Sequence, residues 1–141
     1  MTEKMQILAS MAAELVQPEA LEENDDGFTL SLENGLLTFF SLGGYGAMDY
    51  CRAKVADLGE GELPAGLCEA LLEGNFFWRA TNGARLSLNA RENALYLTER
   101  FDAEFMEKPE DLRRYVEGFM NTLADWRMRV ETFQEAKEAN L

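Results

Sequence analysis

The chain has 141 residues, 47% of them hydrophobic, and carries 26 acidic against 13 basic side chains, a formal charge of −13. That length and apolar content suffice for one domain with its own core, residues 1–141, without metals or disulfides. The charge opposes phosphate backbones and anionic membrane leaflets and so argues against nucleic-acid and membrane partners; it suits a partner that is neutral or basic.

No apolar run reaches the roughly 18 residues of a membrane span. The start, MTEKMQILASMAAELVQ, carries Glu3 and no long apolar stretch, unlike a secretory signal. A first helix is predicted over about residues 3–16. Met5, Leu8, Ala12 and Leu15 step by 3, 4 and 3 along one face. Thr2 is placed to cap the helix, and Pro18 stops it because Gln17 before it resists helical geometry. Residues 19–26 carry five carboxylates and no base. They lack the oxygen spacing and central glycine of a calcium loop, and read as a solvated connection.

Phe28, Leu30 and Leu32 alternate with polar residues, as in a one-sided strand. Asn34-Gly35 reads as a two-residue hairpin turn. The next strand, Leu36 to Leu42, is apolar on both faces and is expected to be covered on both sides. A third strand, about Met48 to Ala56, sets Cys51, Ala53 and Val55 against Tyr50, Arg52 and Lys54.

Pro64 suits the first position of a short second helix ending near Glu73. Leu67, Cys68, Ala70, Leu71 and Leu72 spread almost all round it, so it is expected to be buried or to lie in an interface. Phe76, Phe77 and Trp78 follow. Read as an extended segment, they point to opposite faces, which leaves at least one ring for an interface. Leu86/Leu88 and Leu95/Leu97 alternate with polar residues as a hairpin turning near residues 90–93. A last helix is predicted from Pro109 to Ala139. Its seam of Leu112, Val116, Phe119, Leu123, Trp126, Val130 and Phe133 steps by 4 and 3, and it is expected to lie along a sheet or another helix. The order α-β-β-β-α-β-β-α, with its hairpins, predicts an α+β fold: a twisted antiparallel sheet flanked by helices.

The sequence argues against catalysis. There is no histidine, so the commonest general base and the usual partner of a nucleophilic serine or cysteine are missing. Cys51 and Cys68 form no Cys-x-x-Cys pair and cannot make a zinc site; both are expected to be reduced and buried. An acid pair acting as a hydrolase remains a formal option, but with 26 acids some pair lies close by chance. Gly43-Gly44-Tyr45-Gly46 lacks the Lys-Ser/Thr of a phosphate loop and reads as a strand connection. No cofactor and no metal are expected.

Residues 71–97, LLEGNFFWRATNGARLSLNARENALYL, resemble the second half of the class I type III secretion chaperones, the Tir chaperone (CesT-like) family. The resemblance rests on a Leu-Leu-x-x-Asn-Phe helix end, a Thr-x-Gly loop, two Leu-x-Leu strands and a last helix with an apolar-Trp pattern. Leu71, Leu72, Asn75, Phe76, Thr81, Gly83, Leu86, Leu88, Leu95, Leu97, Phe119, Leu123 and Trp126 stand at matching places. It covers about residues 63–130; residues 1–60 fit by element order alone.

The resemblance implies a non-enzymatic homodimer in the bacterial cytoplasm. Such a protein binds the N-terminal region of a secreted effector and keeps it soluble and competent for secretion, without ATP. Leu67, Cys68, Leu71, Leu72 and Phe76 are then expected at the dimer contact. Met5, Leu8, Ala12 and Leu15, with an exposed sheet face, are expected at the effector site, although a plain core role suits helix 1 equally. A CesT-like regulatory or sensory binding protein outside secretion is the alternative.

Overall fold

The computed structural model describes residues 1–43 and 48–140. Three α-helices, α1 (Glu3–Leu15), α2 (Leu67–Gly74) and α3 (Pro109–Ala139), flank an antiparallel sheet. Its strands are β1 (Leu21–Glu23), β2 (Gly27–Leu32), β3 (Gly35–Leu42), β4 (Met48–Asp57), β5 (Arg85–Asn89) and β6 (Ala94–Phe101). They lie in the order β1-β2-β3-β4-β6-β5. This is the α+β architecture expected from the hairpins. The chain divides into two compact units, Met1–Ala53 with Glu99–Phe119, and Lys54–Thr98 with Met120–Leu141.

In the first unit α1 begins as its sequence dictates. The Thr2 hydroxyl accepts the Met5 amide at 3.2 Å, and the helix has ended before Pro18. Met5, Leu8 and Ala12 are buried with Phe28, Leu30, Leu37, Phe39 and Leu112. Aromatic rings bind this core together. Phe39 stacks on Phe28 at 5.0 Å and meets Phe101 edge-on at 5.6 Å, and Tyr115 of α3 lies 5.5 Å from Phe101. Such pairs add about 0.5–1.5 kcal/mol each beyond area burial. Asp111 fixes the start of α3 by accepting the amides of Glu107 and Lys108 at 3.0 and 3.1 Å.

Three expectations are corrected in this unit. The acidic connection is not all loop: Leu21 pairs with Leu30, adding the short edge strand β1. The hairpin turns on Glu33 and Asn34, because Leu32 pairs with Gly35, and it is Gly35 that takes the positive φ, 129°. Most consequential, β3 is covered on one side only among the described residues. Leu37 and Phe39 are buried, whereas Leu36 and Leu42 are exposed and Phe40 is half-buried. α1 and Tyr115 of α3 pack on the Phe39 face, and on the Phe40 face Leu36 and Leu42 stay in water. Of the glycine-rich connection, Gly43 is described; Gly44, Tyr45 and Gly46 lie outside the described residues.

In the second unit Val55, Leu67, Leu86, Leu95, Leu97, Leu123, Trp126 and Val130 form the core. The seam of α3 is buried as its 4-3 spacing requires, with Val116 and Phe133 half-buried. The β5–β6 hairpin has the expected four-residue loop, since Asn89 pairs with Ala94. α2 starts three residues later than Pro64 suggested. Gly66 sits at φ 81°, a left-handed conformation that cannot continue a helix, and the Leu67 amide closes a turn onto the Pro64 carbonyl at 3.2 Å. Of the two free thiols Cys51 is buried, but Cys68 is exposed, because α2 buries Leu67 and turns the next residue outward.

Around the Cys51 thiol the first unit encloses Glu99 of β6 and Tyr115 of α3. Burial raises the Glu99 carboxyl above its ordinary value, with the Tyr115 hydroxyl pulling the other way. The unfolded chain releases this proton at lower pH, so ionising Glu99 costs the native state stability as pH rises. Glu99→Gln is therefore expected to melt higher than the parent near neutral pH. The margin should shrink towards about pH 4, where the acid is protonated in both states. Calorimetric melts at the two pH values check this; a lower melting temperature at neutral pH would refute it.

Candidate functional site

The segment from α2 to β5 is held by a few short-range contacts. Gly74 closes α2 directly beneath the Trp126 indole. A methyl group at Gly74 would lie 2.4 Å from that ring, which only glycine avoids. The indole N–H donates to the Ala80 carbonyl at 2.9 Å. Asn75, the next residue, treats β5 as a strand partner would: its amide nitrogen donates to the Leu86 carbonyl at 3.0 Å, and its oxygen accepts the Leu86 N–H at 2.8 Å. Thr81 is buried and donates to the Ala84 carbonyl at 2.5 Å, while Asn82 and Gly83 supply two left-handed residues, φ 52° and 92°. Asn75, Thr81, Gly83 and Trp126 thus build the frame.

The frame displays the aromatic cluster. Phe76, Phe77 and Trp78 are not extended, as their run of large side chains suggested; they form a tight turn. Phe77 and Trp78 both adopt the left-handed region, φ 53° and 56°. That conformation costs an ordinary residue about 1–2 kcal/mol, and bulky residues seldom take it. All three rings consequently face solvent, with Phe76 71% and Phe77 69% exposed. The Phe76 and Phe77 rings touch at 4.6 Å, and the Arg85 guanidinium lies 5.7 Å from the Trp78 ring.

Leu72, 72% exposed, continues this surface on α2. Beside it a cleft of about 230 Å³ is lined by Leu58, Leu63, Leu67, Cys68, Leu71, Leu72, Leu86, Leu88 and Leu95. β5 is a sheet edge. Because the Leu86 backbone turns outward to Asn75, the period of the strand turns the Leu88 N–H and C=O outward as well, toward an open edge. Of the residues expected at a dimer contact, Leu67 is buried under α2, Leu71 is half-buried, and Cys68, Leu72 and Phe76 are exposed.

The first unit has its own apolar surface. Leu36, Phe40 and Leu42 of β3 share the outer sheet face with Met48 and Tyr50 of β4, and Phe40 stacks on Tyr50 at 5.6 Å. Of the helix residues expected to touch an effector, Met5, Leu8 and Ala12 are in the core and Leu15 is half-buried; Ile7 is what α1 shows to solvent. Phe105, in the single turn after β6, is 83% exposed. The sequence places an exposed sheet face at the effector site and at least one ring of Phe76 to Trp78 at an interface, without singling out Phe77 or the outer residues of β3. The doubly apolar pattern of β3 was the available signal, and a single covered face accounts for it.

Residues 48–127 match the Tir chaperone protein (CesT) family model. The chain belongs to that family. The match covers more than half of the chain and includes β4 through most of α3, so CesT-family membership embraces both the Asn75 frame and the aromatic turn. No curated protein and no solved structure matches the chain. CesT membership implies a type III secretion chaperone role. Among the described residues no group of three or more His, Cys, Asp or Glu side chains is arranged to hold a metal, and no helix is long and apolar enough to cross a membrane.

If Asn75 and Gly74 set the frame, Asn75→Ala is expected to destabilise the fold by about 1–3 kcal/mol through two unmatched backbone groups. Gly74→Ala should cost a similar amount, about 1–3 kcal/mol, by overpacking against Trp126. Urea denaturation measures both; a loss under half a kcal/mol for either would contradict the geometry.

Proposed function

We propose that this CesT-family chain is a class I type III secretion chaperone. It acts as a homodimer in the bacterial cytoplasm, holding the N-terminal region of a secreted effector in a soluble, secretion-competent state. The observation that carries this reading is the amount of large apolar side chain left in water on both units of a folded family member: Leu36, Leu42, Leu72, Phe76, Phe77 and Phe105. Patches of this kind mark surfaces built for other chains.

Pairing with a second copy uses α2 and the β5 edge. Leu71, Leu72, Cys68 and Phe76 meet their counterparts, and Leu67 supports them from beneath. The effector segment uses the first unit: the outer face of β3 and β4, and α1, whose buried Met5, Leu8 and Ala12 fix the helix that carries Ile7, with Leu15 at its end. An aggregation-prone segment gains burial there in a largely extended form and pays ordering entropy, which is why a broad surface is required. No nucleotide takes part; holding is an equilibrium, and release falls to the secretion apparatus.

Leu72→Glu is the sharper test of pairing, because so exposed a residue can change without unfolding the subunit. It is expected to give folded monomers by light scattering and circular dichroism, and an intact dimer would remove α2 from the contact. For the client, the secreted protein encoded beside this gene should co-purify with the chain in nucleotide-free buffer, its N-terminal region protected from protease. Failure to co-purify would take away the client assignment.

A further inference from the structure

The surface around the aromatic turn departs from the charge of the chain as a whole. Acids outnumber bases two to one in the sequence, yet Gly74 to Arg91 holds no carboxylate and three arginines, Arg79, Arg85 and Arg91. All three are exposed. Among the described residues none of them has a carboxylate at ion-pair distance. The acids that bracket the run lie among other groups. Glu73 borders a separate cleft with Arg129 and Phe133, and Glu92 accepts the Tyr96 hydroxyl and lies 4.0 Å from the Lys54 ammonium.

Two of these arginines flank the rings. Arg79 follows Trp78 directly in the chain, and the Arg85 guanidinium lies 5.7 Å from the Trp78 ring. The backbone of the turn is tied at both ends. The Trp78 amide donates to the Asn75 carbonyl at 3.1 Å, and the Trp78 carbonyl accepts the Gly83 amide at 2.9 Å. Phe77 and Trp78 are thereby held in left-handed backbone, with Phe77 69% and Trp78 45% exposed. Strained backbone that ends in exposed rings, rather than buried ones, marks a surface fixed ahead of a partner.

We infer that the turn is a docking surface for an acidic, apolar segment of another protein. Apolar side chains of the segment cover Phe77 and Trp78, and two of its carboxylates sit at Arg79 and Arg85. This goes beyond the proposed function, which gives these four residues no role. Charge complementarity selects the occupant. At physiological salt the Debye length is about 8 Å, so a carboxylate at the turn responds to the two guanidiniums beside it and little to acids farther off. A guanidinium fork presents paired donors that fit a carboxylate, and the Trp78 ring restrains Arg85 before binding. A second copy would bring the same two guanidiniums, and a two-fold contact centred on the turn would set like charges together. A phosphate backbone or an anionic leaflet presents charge over a long reach and meets the −13 of the whole chain.

The test uses the full chain at physiological salt and two fluorescein-labelled synthetic peptides. They have identical leucine and phenylalanine residues around two positions, both occupied by aspartate or both by asparagine. By fluorescence anisotropy the aspartate peptide is expected to bind about tenfold more tightly, as suits two exposed ion pairs. Replacing both arginines, Arg79→Gln with Arg85→Gln, should erase the preference without changing the melting temperature. Phe77→Gly should weaken both peptides by about fivefold or more, as suits a ring lost from the contact. It should melt no lower than the parent, because glycine accepts the left-handed backbone.

Equal affinities, a preference that survives the double replacement, undiminished binding by Phe77→Gly, or no saturable binding of either peptide would overturn the inference. A change of oligomeric state in the arginine variant would also overturn it, by making the turn a contact between copies. So would Phe77-dependent sedimentation of the chain with vesicles of phosphatidylcholine and phosphatidylglycerol, which would make the turn a membrane anchor. If the secreted partner co-purifies while the two peptides bind alike, the docking surface fails and the chaperone reading stands; if the partner does not co-purify, that reading fails on its own, whatever the peptides do.

Discussion

Everything that the second unit offers to solvent depends on one close approach, Gly74 against the Trp126 indole. No side chain fits between them, so α2 is held at a fixed distance from α3, and the residue that follows must leave the helix at a fixed point. Asn75 uses that point to bond both backbone groups of Leu86. One helix end is thereby joined to a strand edge by an amide that substitutes for a peptide group. With α2 fixed on one side by Trp126 and on the other by β5, Leu67 points into the core, Leu72 stays on the outer side, and the aromatic turn after the helix projects into water.

Much of this was legible in the residues, and what was not has physical reasons. The long 4-3 seam of α3, the Thr2 cap, the Pro18 stop and the β5–β6 hairpin each depend on interactions within a few residues, or on a period repeated often enough to be unambiguous. The family resemblance over residues 63–130 came from the same kind of local signal. The turn at Phe76 to Trp78 was not legible, because left-handed backbone is ordinarily signalled by glycine or asparagine and here occurs at a phenylalanine and a tryptophan. The short β1 strand was hidden among carboxylates, since only its pairing with β2 reveals it. Burial was harder still: Met5 and Ile7, or Leu37 and Leu36, are chemically alike, and only the side on which α1 and α3 lie separates core from surface.

The charge is distributed in a way that a net value conceals. Part of it is neutralised in solvated pairs on helices, such as Arg113 between Glu110 and Glu117, or Arg129 with Asp125 at 3.0 Å. Exposed pairs of this type add little stability. The excess of acids serves solubility: a subunit that leaves leucines and aromatic rings in water needs strong mutual repulsion elsewhere to stay dispersed. In the first unit Arg52 lies by the Phe40 ring; in the second Lys54 lies by the Tyr96 ring and also pairs with Asp57 at 3.0 Å.

The left-handed pair at Phe77 and Trp78 also bears on how this protein tolerates change. Glycine at either position would relax the backbone, and selection for a sturdier subunit alone would favour it. In the proposed function these exposed rings are surface for another chain, and consensus-style substitution at this turn then trades directly against recognition. The turn is thus a place where thermal hardiness and usefulness pull in opposite directions.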